Sequence, residues 1–67
     1  MYHITRRLRL ITYYMAYDRT RNPFRIRDTQ EQALADLASK YDVSALVEDR
    51  GILFDADQHI GVGVITV

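Results

Sequence analysis

One stretch of this chain carries a helical signature with its own start signal, and it is short. Asp28 is a good N-cap, and Glu31 three residues later completes a capping-box pattern. From Thr29 to about Tyr41, the apolar residues Leu34, Leu37, Ala38 and Tyr41 recur at i, i+3, i+4 and i+7, one face of a helix. Gln30, Gln32, Asp36 and Lys40 fall largely off that stripe. A single one-sided helix must bury its stripe against another layer. The flanking sequence supplies that layer, because it alternates with period 2.

Residues 2–17 (YHITRRLRLITYYMAY) are rich in Tyr, Ile and Thr. Tyr2, Ile4, Leu8 and Leu10 share one side, then Ile11, Tyr13, Met15 and Tyr17 the other, which predicts a strand with a bulge or bend at Leu10-Ile11. A helix with Ile4, Leu8, Ile11 and Met15 inward is the competing reading. Asp18 to Pro23 (DRTRNP) is a turn cluster, and Phe24-Arg25-Ile26-Arg27 alternates again to close a hairpin. After the helix, Val43 to Glu48, Ile52 to Phe54 and Ile60 to Val67 read as strands. Asp49-Arg50-Gly51 and residues 55–59 form the turns between them. Gly61 and Gly63 leave one face of the last strand bare, which suits a closely packed neighbour. The expected fold is a single α+β domain over residues 1–67. It is a two-layer sandwich with one helix on one face of an antiparallel sheet of four or five strands, in the order ββαβββ or ββαββ.

Length limits what such a fold can hold on its own. A chain of 67 residues supports one thin core, and domains below 70–80 residues typically net only about 3–5 kcal/mol unless something staples them. With no Cys and no four-ligand metal set, the remaining staple is oligomerisation or a partner. A homodimer through an edge strand such as Ile60–Val67 is one expected form. The longest charge-free apolar stretch, residues 60–67, is too short to span a bilayer. Arg6, Arg7 and Arg9 interrupt the start before any secretory apolar run develops, so the expected location is cytoplasmic.

Enzymatic chemistry is not expected, and no cofactor or metal is called for. Asp55, Asp57 and His59 sit at i, i+2 and i+4, a spacing that on a strand would put two carboxylates and an imidazole on one face. As a calcium loop it fails, with Ile60 where Gly is required and Thr66 where Glu is required. A solvated turn is the plainer reading. Ser39 and Ser44 lack a glycine elbow, and Gly51, Gly61 and Gly63 make no phosphate-cradling loop.

The informative feature is charge layout. Nine Lys+Arg balance nine Asp+Glu, yet residues 1–27 hold seven arginines against Asp18 alone, a balance of +6. Residues 28–67 hold two cations against eight carboxylates, a balance of −6. If Phe24 and Ile26 face the helix, then Arg25 and Arg27 face away from it, as do Arg7 and Arg9, with Arg19 and Arg21 at the hairpin tip. Like charges opposed across strands destabilise the pair, so something must compensate them. Glu48, Asp49, Asp55 and Asp57 on neighbouring strands are one candidate. Nucleic acid stacked on Tyr13, Tyr14, Tyr17 and Phe24 is a second. An acidic or mixed-charge protein surface is the third, because Arg and Tyr outnumber Lys as they do at interfaces.

The hairpin Leu8–Arg27, the Asp28-Thr29-Gln30-Glu31 cap with Leu34, Leu37 and Tyr41, and the strands from Val43 to Val67 give a layout that resembles small phage-encoded inhibitors, notably anti-CRISPR proteins and phage inhibitors of bacterial RNA polymerase. The resemblance implies a protein that acts without catalysis by docking on a nucleic-acid-handling complex, foremost a CRISPR surveillance complex, and blocking target binding or effector recruitment. The families share no motif, so the partner-binding set rests on strand alternation. That set is Arg7, Arg9, Arg19, Arg21, Arg25 and Arg27 with Tyr13 and Tyr17. A DNA- or RNA-binding module using the same face is the alternative.

Overall fold

In the computed structural model, residues 10–67 are described; Arg7 and Arg9, with the expected strand before Leu10, lie outside them. Five antiparallel strands and one helix follow in the order ββαβββ: β1 (Thr12–Tyr17), β2 (Ile26–Arg27), α1 (Gln30–Ala38), β3 (Val47–Asp49), β4 (Ile52–Asp55) and β5 (Ile60–Thr66). The sheet order is β2-β1-β5-β4-β3, an α+β sheet with the helix on one face. α1 links the two edges of the sheet, crossing β1 and β5 on the way.

β5 therefore lies at the centre, paired to β1 on one side and β4 on the other. That corrects the expectation of Ile60–Val67 as an exposed edge, because its backbone groups are already used on both sides. Among the described residues the edges are β2 and β3, two and three residues long, which leaves little template for edge-to-edge pairing there.

The helix starts one residue later than expected. Thr29, not Asp28, is the N-cap: its Oγ1 accepts from the Gln32 N–H at 3.2 Å, and Gln32 Oε1 accepts from the Thr29 N–H at 3.1 Å. The sequence offers two overlapping cap frames, Asp28/Glu31 and Thr29/Gln32, and only the second closes. Ala33 and Leu37 become the buried centre of the helical face, with Leu34 and Tyr41 half-buried beside them and Ala38 exposed.

β3 begins at Val47 rather than Val43. Residues 43–46 instead form a turn, with Leu46 N–H donating to the Val43 carbonyl, and both side chains pack on the core. The β3–β4 hairpin closes through Arg50 (φ 55°) and Gly51 (φ 81°), with Asp49 paired to Ile52. Two successive left-handed residues are what a tight hairpin of right-twisted strands requires.

Among the described residues the fully buried apolar side chains are Ala16, Ala33, Leu37, Ile60 and Val62. Alternation places them on one side only. Tyr14 and Ala16 of β1, Ile60 and Val62 of β5, and Leu53 of β4 face the helix and the 39–46 segment.

Candidate functional site

The first candidate is the β1–β2 connection, which one carboxylate organises. Asp18 is buried, and its Oδ1 accepts from Thr20 N–H (3.1 Å), Thr20 Oγ1 (3.0 Å) and Asn22 N–H (3.0 Å). Its Oδ2 accepts from Asn22 Nδ2 (2.6 Å) and from the hydroxyl of Tyr41 (2.8 Å), which lies beyond the helix. Burial alone would push this carboxyl up. Hydrogen bonds from the Asn22 backbone, Tyr41, and the Asn22 and Thr20 side chains outweigh that and hold it far below the ordinary carboxylate range. Tyr41 is correspondingly pushed up, first by donating to Asp18 and then by burial. The loop is thus tied to the body of the domain, and from it Arg19 and Arg21 project exposed. Arg21 sits at φ 56°, a left-handed backbone that a non-glycine residue adopts at a cost of roughly 1–2 kcal/mol.

The remaining arginines do not form the expected row. β2 pairs with β1 in the register Tyr14↔Arg27 and Met15↔Ile26, so Arg27 shares the helix-side face with Tyr14, and Ile26 points away. Arg27 Nε and Nη2 bond both oxygens of Asp36 on α1, at 2.7 and 2.8 Å. This is the reverse of the expected facing. Asp36 is held below the usual carboxylate range first by that bond, against the opposing effect of burial, and Arg25 adds a weaker Coulombic contribution. Arg25, just before β2, is exposed. Among the described residues the Arg27–Asp36 contact is the only salt bridge. The carboxylates of β3 and β4 therefore do not pair with Arg19, Arg21, Arg25 or Arg27; Glu48 and Asp49 are exposed at the opposite edge.

The second candidate is the sheet face opposite the helix, which strand alternation expected to carry arginines and which is apolar among the described residues apart from Asp49. Reading across the register, it carries Val47, Phe54, Gly61 and Tyr17 at one level. Asp49 with Ile52, and Gly63 with Met15 and Ile26, come at the next, and Ile65 with Tyr13 at the third. Ile11 and Val67 exchange two backbone hydrogen bonds (2.9 and 3.0 Å) and extend the face one pair further. Among these described residues Asp49 is the one charged side chain. Ile26 is 59% exposed, Val47 53%, Ile11 48%, Ile52 41% and Tyr17 40%. Tyr13 and Tyr17, expected at a contact, thus belong to an apolar face rather than an arginine face.

Gly61 and Gly63 make a trough down the middle of it. The Tyr17 ring lies across Gly61: a Cβ there would collide with the Leu53 carbonyl oxygen and come within 2.6 Å of the ring carbon bearing the hydroxyl. A cavity of about 300 Å³ opens beside this crossing, bounded by Tyr17, Ile52, Phe54, Ala56 and His59.

Asp55 bonds its own turn, accepting from Asp57 N–H (3.0 Å), Gln58 N–H (3.3 Å) and Gln58 Nε2 (2.8 Å). No group of three or more acidic, His or Cys side chains among the described residues gathers closely enough to hold a metal ion. No helix among them is long and apolar enough to cross a membrane. No protein-family model, curated protein or solved structure matches this chain.

Proposed function

We propose that this protein is a non-enzymatic binding module whose β1–β2 connection docks on a bacterial nucleic-acid-handling complex. In the specific form implied by the phage-inhibitor layout, it sits on a CRISPR surveillance complex in the host cytoplasm and blocks target binding or effector recruitment. One observation carries the reading: Arg21 is kept in a left-handed backbone, where glycine would be unstrained, on a loop fastened by five hydrogen bonds to Asp18. A loop ordered before binding loses less entropy on docking. Arg19, Arg21 and Arg25 are its exposed donors, suited to bidentate contact with carboxylate or phosphate. Arg27 drops out of the expected contact set, its fork being occupied by Asp36.

The test is charge reversal at Arg19 and Arg21 together, both exposed and outside the core. Binding to a purified surveillance complex should fall at least tenfold while the thermal midpoint stays within a few degrees. Unchanged binding would falsify the assignment. A gel shift with free DNA and RNA at two salt concentrations separates the other ligand class. Phosphate binding weakens steeply as salt rises, so a salt-sensitive shift without any protein target would replace the docking reading with a nucleic-acid-binding one.

A further inference from the structure

We infer that the cavity beside Tyr17 binds a fully methylated ammonium group, the head of a small organic cation; this does not depend on the docking reading above. The cavity holds about 300 Å³, the small end of ligand sites. Tyr17 and Phe54 flank Gly61 in the strand register, on the same face of the sheet. Glycine puts no side chain between them, so the Tyr17 ring leans across β5, and both aromatic residues border the cavity. Ile52 and Ala56 add apolar surface, and exposed His59 completes the border. Aromatic faces are electron-rich and attract cations, and methylated ammonium groups are the guests that such walls hold best.

Charge sets the sign of the guest. Asp55 borders the cavity and is buried. Hydrogen bonds from the Gln58 side chain, then from the backbone N–H groups of Gln58 and Asp57, outweigh burial and keep it ionised at neutral pH. The same bonds already engage both its oxygens. It therefore offers charge rather than a fresh acceptor, which suits a head group with no N–H to donate. A primary ammonium or a guanidinium would bring donors into apolar surroundings and leave them unpaired. Among the described residues no arginine or lysine lines the cavity. Arg19 and Arg21 follow Asp18, whose carboxylate turns to Tyr41 on the helix side, and Arg19 lies near enough to that hydroxyl to counter its upward shift. An anionic guest would thus meet Asp55 with no described cation to offset it. The cavity lies at the Tyr17 end of β1, away from Leu10, where the described residues begin.

NMR titration of the whole chain at pH 8, above the ordinary titration range of histidine, tests this with choline and with dimethylbutanol, its neutral carbon isostere. Choline should give saturable shifts centred on Phe54, Ala56 and His59 at millimolar concentration. The isostere has the same shape without the charge and should bind roughly fivefold more weakly or worse. Phe54→Leu keeps apolar surface but removes one aromatic face. It should cost choline roughly threefold and leave the isostere little changed. The comparison of choline with its isostere uses the wild-type chain, so it stands even where Phe54→Leu perturbs folding. The inference is overturned if choline gives no saturable shift, if the isostere binds as tightly, or if the shifts centre away from the cavity. A peptide carrying one trimethyllysine is the last probe: binding tighter than choline would move the head group onto a partner protein and overturn the small-cation source.

Discussion

Arg27 grips Asp36 with both arms of its guanidinium, Nε to Oδ2 at 2.7 Å and Nη2 to Oδ1 at 2.8 Å, and so fastens the short edge strand β2 to the helix. The pair is partly shielded, with side-chain exposures of 27% and 20%. It decides which side of the sheet is charged: the helix side takes the arginine, and the open side takes Ile26. In a two-residue strand this one contact does much of the fastening.

Arg27→Ala and Asp36→Ala should each lower the melting midpoint by a few degrees. The double variant should lose less than the sum, since each single change leaves the other charge unpaired. Thermal melts of the four proteins give the coupling. Strict additivity would mean that the bidentate geometry contributes nothing to stability.

Acid sensitivity follows from the carboxyls. Asp18, Asp36, Asp42 and Asp55 all titrate below their ordinary range in the folded chain. The unfolded chain therefore binds protons first as pH falls. The stability these groups contribute is fully present above the unfolded value of 3.8 and is lost as pH descends from there through the folded values. The midpoint should hold level from pH 7 to about 5 and fall steeply below 4. Asp18→Asn should melt lower than wild type at pH 7, because its amide presents donors to Asn22 and Tyr41, yet show a shallower decline in acid. Melting scans from pH 2 to 7 check both features, and parallel slopes would remove Asp18 from the account.

Tyr41 gives the opposite sign. Its folded value is raised above 10.0, so its contribution is complete below pH 10 and is lost as pH rises through the folded value. Tyr41→Phe keeps the ring and removes the donor to Asp18. It should melt a few degrees lower at pH 7 and lose the wild type's extra decline above pH 10. Spectrophotometric titration of the tyrosines reads the shift directly, and a group titrating with the exposed tyrosines would contradict the contact.

Element order was legible in the sequence because the chain uses two clean periods. A single 3.6-residue stripe around Leu34 and Leu37 is flanked by period-2 segments, and these became α1 and its strands. Which way the arginines face was not legible. Counting alternate residues back from Arg27 to Phe24 assumes an unbroken strand, but Phe24 N–H donates to the Asn22 carbonyl across Pro23, and β2 begins only at Ile26. Phe24 packs on the core and Ile26 points away, so the phase slips between them. The Asp-Arg-Thr-Arg-Asn run spells a turn locally, whereas the bond that anchors it comes from Tyr41, 23 residues on, and no local pattern records that. The open face was equally hidden: Tyr13, Met15 and Tyr17 share a side in any strand, but only the pairing with Gly61, Gly63 and Ile65 shows that Phe54 and Ile52 continue it.

Arg21→Gly should separate stability from binding. Glycine relieves the left-handed strain at φ 56° while making the unfolded chain more flexible, so the net effect is neutral to stabilising by about 1 kcal/mol. Docking through the loop should weaken severalfold in the same variant, since one of three exposed guanidiniums is gone. Denaturant melts and a binding titration on one preparation check the pair of outcomes. A less stable variant would show that the side chain, not the backbone, matters to folding.

Gly61 and Gly63 lie two residues apart on the same face of β5, and alanine should distinguish them sharply. At Gly61 the new methyl meets the Leu53 carbonyl, part of the backbone and unable to swing aside, as well as the Tyr17 ring. Forced shifts of this kind typically cost about 1–3 kcal/mol, a large share of what so small a domain holds. At Gly63 the nearest heavy atoms are 3.9 and 4.0 Å away, ordinary contact distance, so Gly63→Ala should fold within about 0.5 kcal/mol of wild type. Tyr17→Ala in the Gly61→Ala background removes only the side-chain part of the clash. Rescue should therefore be partial, because the carbonyl remains. Full rescue would assign the whole obstruction to the aromatic ring, and equal effects at the two glycines would mean that the ring does not lie across Gly61 in solution.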